Sequence, residues 1–120
     1  MDEQRFKERT KRFALDIITL MSSIPMRRVD YATEVLCKQL LRAATSVGAN
    51  YRAACRGRST ADVMAKLGVV EEEADESLYW LELLVESKLI PGPAMADLMR
   101  EADELAAMTV ASIKTLRGRR

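Results

Sequence analysis

The acidic run from Glu71 to Glu76 contains the residues of this 120-residue sequence best suited to chemistry. Five of its six residues are carboxylates, and carboxylates four positions apart share one side of a helix. Such pairs can bind a divalent metal ion, but the di-metal sites of helical bundles also use histidines. The sequence has no histidine, so we expect no metal site. The carboxylates either pair with basic residues of a neighbouring helix or are solvated.

A second candidate is the polar row of Arg42, Ser46 and Asn50, which follow one another at four-residue steps. On a helix these three side chains share one flank. The row could bind an anion or a phosphate group. Alternatively, it is a hydrogen-bonded structural seam between helices, with Arg42 facing the carboxylates of the acidic run. We favour the seam.

The two cysteines, Cys37 and Cys55, have neither a histidine partner nor a Cys-x-x-Cys spacing, which argues against thiol catalysis. On one helix they would lie about 27 Å apart, too far for a disulfide bond. Nucleotide-binding, serine-hydrolase and zinc-protease motifs are absent from the sequence. We therefore expect no enzyme, no catalytic residue, no cofactor and no small-molecule substrate. Reduced thiols, and the lack of a long apolar run or a secretory signal, predict a cytoplasmic protein without a membrane partner.

Charge is unevenly distributed, although 19 basic and 18 acidic residues leave a formal net charge of only +1. Residues 1–58 carry a net charge of +6, residues 59–111 carry −9, and residues 112–120 carry +4. Opposite charges of this kind attract each other, either within a subunit or between subunits. The alternative is that they form solvated helix faces.

The chain divides into four helical segments. Apolar residues make up 48% of the sequence, enough for a core and too many for a disordered chain. Breaks fall at Pro25, around Gly57 and at the cluster from Pro91 to Pro93. Helices are predicted over about 3–23, 29–56, 60–88 and 93–116, with Ser59 or Thr60 capping the third. No hairpin signal occurs, so we expect one all-α domain over residues 1–120, an antiparallel up-down-up-down four-helix bundle.

Two surfaces could bind a partner. Arg52, Arg56 and Arg58, together with the basic residues of the first helix, are candidate nucleic-acid contacts, although aromatic residues for base stacking are few. The third helix is apolar over more of its circumference than packing on one side requires. It is therefore central in the bundle or also forms a subunit interface. The candidate interface residues are Trp80, Leu83, Leu84, Glu73 and Glu76.

Three short motifs lie between residues 40 and 84. The first is Arg-Ala-x-x-Ser-x-x-x-Asn, from Arg42 to Asn50, and a turn with Arg56 or Arg58 and Ser59 follows it. The third has Lys-Leu, then Glu73 and Glu76, and leads to Trp80-Leu81. With these motifs the chain resembles the 23S rRNA intervening-sequence proteins. Many members continue from the Asn with Ile-Ala-Glu-Gly, whereas this chain has Tyr-Arg-Ala-Ala-Cys, so no role of that glutamate carries over.

The resemblance implies an up-and-down four-helix bundle that associates as a ring-like homopentamer. The accessory protein of diversity-generating retroelements is similar; it is a much more basic pentamer that binds nucleic acid and a reverse transcriptase. The resemblance therefore leaves two expectations. The chain is a non-enzymatic homo-oligomer, weakly associated with RNA or DNA, or it is a nucleic-acid-binding adaptor that recruits a partner such as a reverse transcriptase. The molecular role does not follow from the sequence.

Overall fold

The structure, a computed structural model, describes residues 2–119 apart from the side chain of Ala94. It contains four α-helices and, within the described range, no strand. The helices are α1 (Glu3–Ser22), α2 (Tyr31–Cys55), α3 (Thr60–Glu86) and α4 (Ala96–Arg117). A short 3₁₀ turn, Gly92–Met95, leads into α4. The predicted all-α, four-helix fold class is confirmed.

Side-chain oxygens cap the first three helices and so satisfy amide groups that have no partner inside the helix. Asp2 accepts from the amides of Gln4 and Arg5, at 2.9 and 3.2 Å. Asp30 accepts from the amide of Thr33 at 2.8 Å, which also lowers the pKa of its carboxyl group. Ser59 accepts from the amide of Asp62 at 3.1 Å, which confirms the predicted cap.

Three helix ends differ from the sequence-based boundaries by two or more residues. Helix α2 begins at Tyr31, rather than near residue 29, because Asp30 adopts an extended conformation and serves as its cap. Helix α3 ends at Glu86, two residues early, since Lys88 has a left-handed backbone with φ of 63°. Helix α4 begins at Ala96, because the residues after Pro91 form the 3₁₀ turn first.

The core runs through the whole fold and draws apolar side chains from every helix. At one end the rings of Phe6 and Tyr51 meet edge to face, with centroids 4.6 Å apart, so the start of α1 packs on the end of α2. Val35 of α2 lies outside this core and is 36% exposed. The largest fully buried side chains are Phe6, Thr10, Phe13, Ile17, Leu40, Val47, Val70, Leu81, Leu84, Met95, Leu105 and Thr109.

Each helix packs on the helices next to it in sequence. Helix α2 packs extensively on α3, and α3 packs extensively on α4; α1 packs on α2 and, less extensively, on α4. Helices α1 and α3 do not pack on each other within residues 2–119. The molecule is elongated, with extents of 51 by 22 by 20 Å. The outer surfaces of α1 and α3 therefore belong to different sides of the molecule.

At Gly48, α1 and α2 approach each other closely. A methyl group added there would lie 3.3 Å from the hydroxyl oxygen of Thr10. Thr10 is buried, and its hydroxyl donates to the carbonyl of Lys7 at 3.1 Å. Gly48 therefore has a packing reason to be a glycine inside a helix, and the neighbour that requires it is Thr10.

Candidate functional site

Four motif residues meet where α2 packs on α3. The guanidinium of Arg42 contacts the Glu76 carboxylate, and its Nη1 lies 3.2 Å from Glu73 Oε2. Trp80 Nε1 donates to the same Glu76 carboxylate at 3.1 Å. We call these four residues the Arg42 network. Because residues 73, 76 and 80 lie one turn apart on α3, the helix places all three beside one arginine of α2.

The Arg42 network lies at the surface but is partly shielded. The Arg42 side chain is 47% exposed, whereas that of Glu73 is only 17% exposed. Arg42 Nε also lies 3.2 Å from the side-chain oxygen of Gln39. The donors of Arg42 thus point to protein acceptors, and an anion would have to displace them. The arrangement is a cross-helix charge pair with an indole as a third member.

Within residues 2–119, the other two residues of the predicted polar row form no hydrogen bond to α3. The side-chain amide of Asn50 donates to the backbone carbonyl of Ser46 at 2.9 Å, within α2. Both residues are half-buried. Among the three residues of the row, only Arg42 forms an ion pair or hydrogen bond with the acidic run within residues 2–119.

The candidate interface residues on α3 fall into two groups. Trp80 and Leu83 are half-buried, and each leaves part of its side chain at the surface. Leu84 is fully buried in the chain's own core. It presents no surface to a partner, so its assignment to an interface is wrong. Leu84 lies one helical turn after the buried Leu81 and therefore faces inward as well.

A charge pair between α1 and α4 escaped the sequence analysis. Arg9 donates from Nε and Nη2 to the two carboxylate oxygens of Glu101, at 3.1 and 2.6 Å, and it also pairs with Glu104. The hydrogen bonds to Glu101 raise the pKa of Arg9. The sequence held one indication of this pair: Glu101 and Glu104 lie three positions apart on α4, and α1 carries a series of basic residues that includes Arg9.

The predicted nucleic-acid contacts, Arg52, Arg56 and Arg58, all have exposed side chains. Within residues 2–119 none of them forms an ion pair. They lie at the end of α2 and in the turn before α3. This cationic end of α2 is therefore open to solvent and to an anionic partner.

Arg52 also borders a groove of about 660 Å³ between α1 and α2. Two lysines of α1, Lys7 and Lys11, stand along it, and Glu8 is its one acidic lining residue. Several of the residues that line it have small side chains. We call it the basic groove, and its small lining residues are Thr10, Ala14, Thr45, Gly48 and Ala49.

The outer side of α3 carries the opposite charge. Glu72, Asp75, Tyr79 and Glu86 recur at helical spacing and are all exposed. Among the described side chains, the three carboxylates have no ion-pair partner. We call these four residues the acidic face. Tyr79 is 53% exposed within it.

Large apolar side chains are exposed on the first three helices. Leu15 and Ile18 follow Lys11 of the basic groove by one and two helical turns, and Leu41 precedes Thr45 by one turn. They therefore extend the two walls of the groove. In the sequence, Leu15 and Ile18 fall outside the apolar stripe that α1 buries, and this position indicates that they are exposed. The complete set is Leu15, Ile18, Tyr31, Val35, Leu41, Val69 and Tyr79.

The thiols are not poised for catalysis. Both cysteines are free, as predicted, and burial raises the pKa of Cys37 and of Cys55. Cys55 and Tyr51 line a cavity of about 550 Å³ whose other walls are largely apolar. Burial also raises the pKa of Tyr51, so its hydroxyl stays neutral. Thiolate chemistry at neutral pH therefore has no support from either cysteine.

The carboxylates of the described chain do not converge on a metal site: no group of three or more Cys, Asp or Glu side chains in residues 2–119 has suitable geometry. The helices of this range also lack the combination of length and apolar character that a membrane span needs.

Comparison with protein families decides the relationship. A family model described as 23S rRNA-intervening sequence protein matches residues 2–111. The chain belongs to this family. The resemblance read from the motifs is therefore confirmed, and the Arg42 network consists of residues that carried it.

A crystal structure gives a second view of the family. It is that of a protein with unknown function from the S23 ribosomal protein family, from Bacteroides thetaiotaomicron, and is 32% identical to this chain. The match covers 91% of this chain and 98% of that chain, with a TM-score of 0.82. A search of curated proteins finds no significant match. Neither comparison indicates an enzyme family.

Proposed function

We propose that this 23S rRNA-intervening sequence protein is a non-enzymatic, cytoplasmic building block that associates with copies of itself. In this proposal the chain is an antiparallel up-down-up-down bundle, and five copies close into a ring. The observation that carries the proposal is the set of large apolar side chains exposed on α1, α2 and α3. Single exposed apolar residues are ordinary, but groups of them bordered by charge are typical of interaction surfaces.

The composition of the surface also supports a protein partner. Trp, Tyr and Arg dominate the energetics of interfaces. Around the Arg42 network, Trp80 is half-buried, and Tyr79 lies beside it with ring centroids 5.3 Å apart. A protein partner would cover the exposed parts of both rings and exclude water from the Arg42 pairs.

The absence of catalytic activity is proposed from the state of the reactive groups. The thiols are held neutral, and Glu73 of the acidic run, whose side chain is only 17% exposed, is paired with Arg42. General acid–base catalysis needs a titratable group placed beside a reacting atom, with a pKa near the working pH. The arrangement at the α2–α3 surface neutralises charge instead.

Light scattering coupled to gel filtration tests this proposal. At micromolar concentration we expect a particle of five times the chain mass of 13.5 kDa. Ile18→Lys, which places a charge on an exposed apolar side chain, should shift the particle toward the monomer. Thr19→Lys, at the neighbouring exposed position, is the matched control and should not. A wild-type protein that remains monomeric at these concentrations contradicts the proposal.

A second function is favoured by one observation. Arg52, Arg56 and Arg58 are exposed near the end of α2 and form no ion pair with any described side chain, as contacts to a phosphate backbone would require. In this alternative the protein is a nucleic-acid-binding accessory factor that recruits a partner such as a reverse transcriptase. Binding of a structured RNA should weaken steeply between 50 and 200 mM salt, because each phosphate contact releases counterions.

Replacing the three arginines tests that alternative. The variant Arg52→Gln, Arg56→Gln, Arg58→Gln should lose RNA affinity and show a flatter salt dependence. Arg27→Gln with Arg28→Gln, in the connection between α1 and α2, is a control with exposed arginines elsewhere. Equal affinity of the triple variant and the wild type excludes these residues as the RNA contact.

A further inference from the structure

We propose that the basic groove of one copy receives the acidic face of α3 from a second copy, so that identical chains associate head to tail. This inference rests on the proposed self-association and adds which two surfaces meet.

The first argument is charge that the single chain leaves unbalanced. Lys11 and Arg52 of the basic groove form no ion pair within the described chain, and neither do Glu72, Asp75 and Glu86 of the acidic face. Other charges of the same helices are paired, as Arg42 is with Glu73. Apart from Glu8, the unpaired charges of the groove are thus cations and those of the acidic face are carboxylates, and complementary potentials of this kind select and orient partners.

The second argument is where the two surfaces lie. The basic groove is formed by α1 and α2, whereas the acidic face is on the outer side of α3, and α1 does not pack on α3. A chain therefore cannot bring its own acidic face to its own groove. Two different patches that meet between copies make a heterologous contact, which repeats in one direction and closes into a ring when the rotation permits.

The third argument is shape and apolar content, which favour a helix over a nucleic acid. The groove has a volume of about 660 Å³ and is lined in part by small side chains, so a side chain from another helix can enter it. Leu15 and Ile18 extend its wall, and Tyr79 protrudes from the acidic face. Apolar contacts of this type match a protein partner, while a phosphate backbone would leave them unused and would meet the carboxylate of Glu8.

A long side of the molecule is large enough for a stable contact. It measures 51 by 20 Å, or about 1000 Å², and a standard interface uses about 800 Å² per partner. The groove and the acidic face each cover part of a long side, so a contact of standard size would also include the residues around them.

Charge reversal tests the pairing of these surfaces. The groove variant carries Lys11→Glu and Arg52→Glu; the face variant carries Glu72→Lys and Asp75→Lys. Each should raise the concentration at which half of the chains are assembled by at least tenfold in sedimentation velocity. The chain with all four substitutions should regain assembly, because its reversed charges match again. The control, Arg5→Glu with Arg12→Glu, reverses exposed charges of α1 that do not line the groove and should assemble like the wild type.

The outcomes separate this inference from the proposal beneath it. A wild-type monomer contradicts the proposed self-association itself. A wild-type oligomer whose groove and face variants assemble normally overturns only the pairing of surfaces. So does a four-substitution chain that is folded by circular dichroism but stays monomeric. A Lys11→Glu chain that assembles normally yet no longer binds a fluorescent RNA hairpin also overturns it, since Lys11 belongs to the groove and not to the cationic end of α2.

Discussion

Replacing Arg42 with Met removes the charge at the centre of the Arg42 network and keeps most of the aliphatic stem. Exposed ion pairs contribute about 0.2–1 kcal/mol each. The pair with Glu73 lies in the upper part of that range because Glu73 is only 17% exposed, and the pair with Glu76, which is 35% exposed, lies in the lower part. Without the arginine, Glu73 and Glu76 repel each other across one helical turn, at a cost of a few tenths of a kcal/mol. We therefore expect a loss of about 1–1.5 kcal/mol in the free energy of unfolding.

For a chain of this length such a loss lowers Tm by roughly 4–6 °C. Lys38→Met is the matched control on the same helix: its pair with Glu34 is more exposed, with side chains 74% and 43% exposed. It should cost about 0.3–0.5 kcal/mol. Both variants must be compared with the wild type at one protein concentration, since association shifts Tm by mass action.

Urea unfolding followed by circular dichroism measures both losses, at low salt and at 0.5 M NaCl. The difference between Arg42→Met and the wild type should shrink at high salt without vanishing, because screening acts more weakly on the shielded Glu73 pair. A double-mutant cycle with Glu73→Gln should give a coupling of at least 0.5 kcal/mol. An Arg42→Met protein no less stable than Lys38→Met would refute the view that the network stabilises the α2–α3 contact.

Two further predictions concern the glycines and the buried ionisable groups. Gly68→Ala should stabilise the protein by up to about 1 kcal/mol, because a methyl group there meets no atom within 4 Å, whereas Gly48→Ala should lose that gain against the anchored Thr10; equal shifts in Tm for the two variants would contradict the packing argument. Burial raises the pKa of Cys37 and Cys55 above the ordinary 9.0 and that of Tyr51 above 10.0, so the folded state favours their neutral forms. Stability should be full below about pH 9 and fall as the pH rises through the raised values, which urea titrations at pH 8, 9 and 10 can measure; a flat profile would contradict it.

The positions of the helices could be predicted because their signals are local. Pro25, the Pro91–Pro93 cluster and the cap at Ser59 act within a few residues, and each is visible in the sequence. The need for a small residue at Gly48 was visible too, since glycine is costly inside a helix. Its neighbour Thr10 was not, because the register between α1 and α2 depends on packing across the whole core.

The contacts of the candidate site also divide into those that the sequence indicates and those that depend on how the helices pack. The pairing of Arg42 with the acidic run was one of the interpretations open to the sequence, because both lie near the middle of helices joined by a short turn. The pair of Arg9 with Glu101 joins residues 92 positions apart. Arg5, Arg9 and Arg12 read alike in the sequence, and only the position of α4 distinguishes the one that is paired.

The small net charge of this chain has a consequence for how copies of it can meet. Identical molecules with a large net charge repel one another before any patch can dock, whereas a molecule of net charge +1 does not. Segregated charge on a nearly neutral chain thus allows opposite faces of identical copies to attract at short range. A polyanion, by contrast, is attracted most strongly by a chain with excess positive charge. The same charge pattern that gives this protein a basic groove and an acidic face therefore favours another copy over a nucleic acid as the occupant of the groove, and the cationic end of α2 is where nucleic-acid binding would have to be sought.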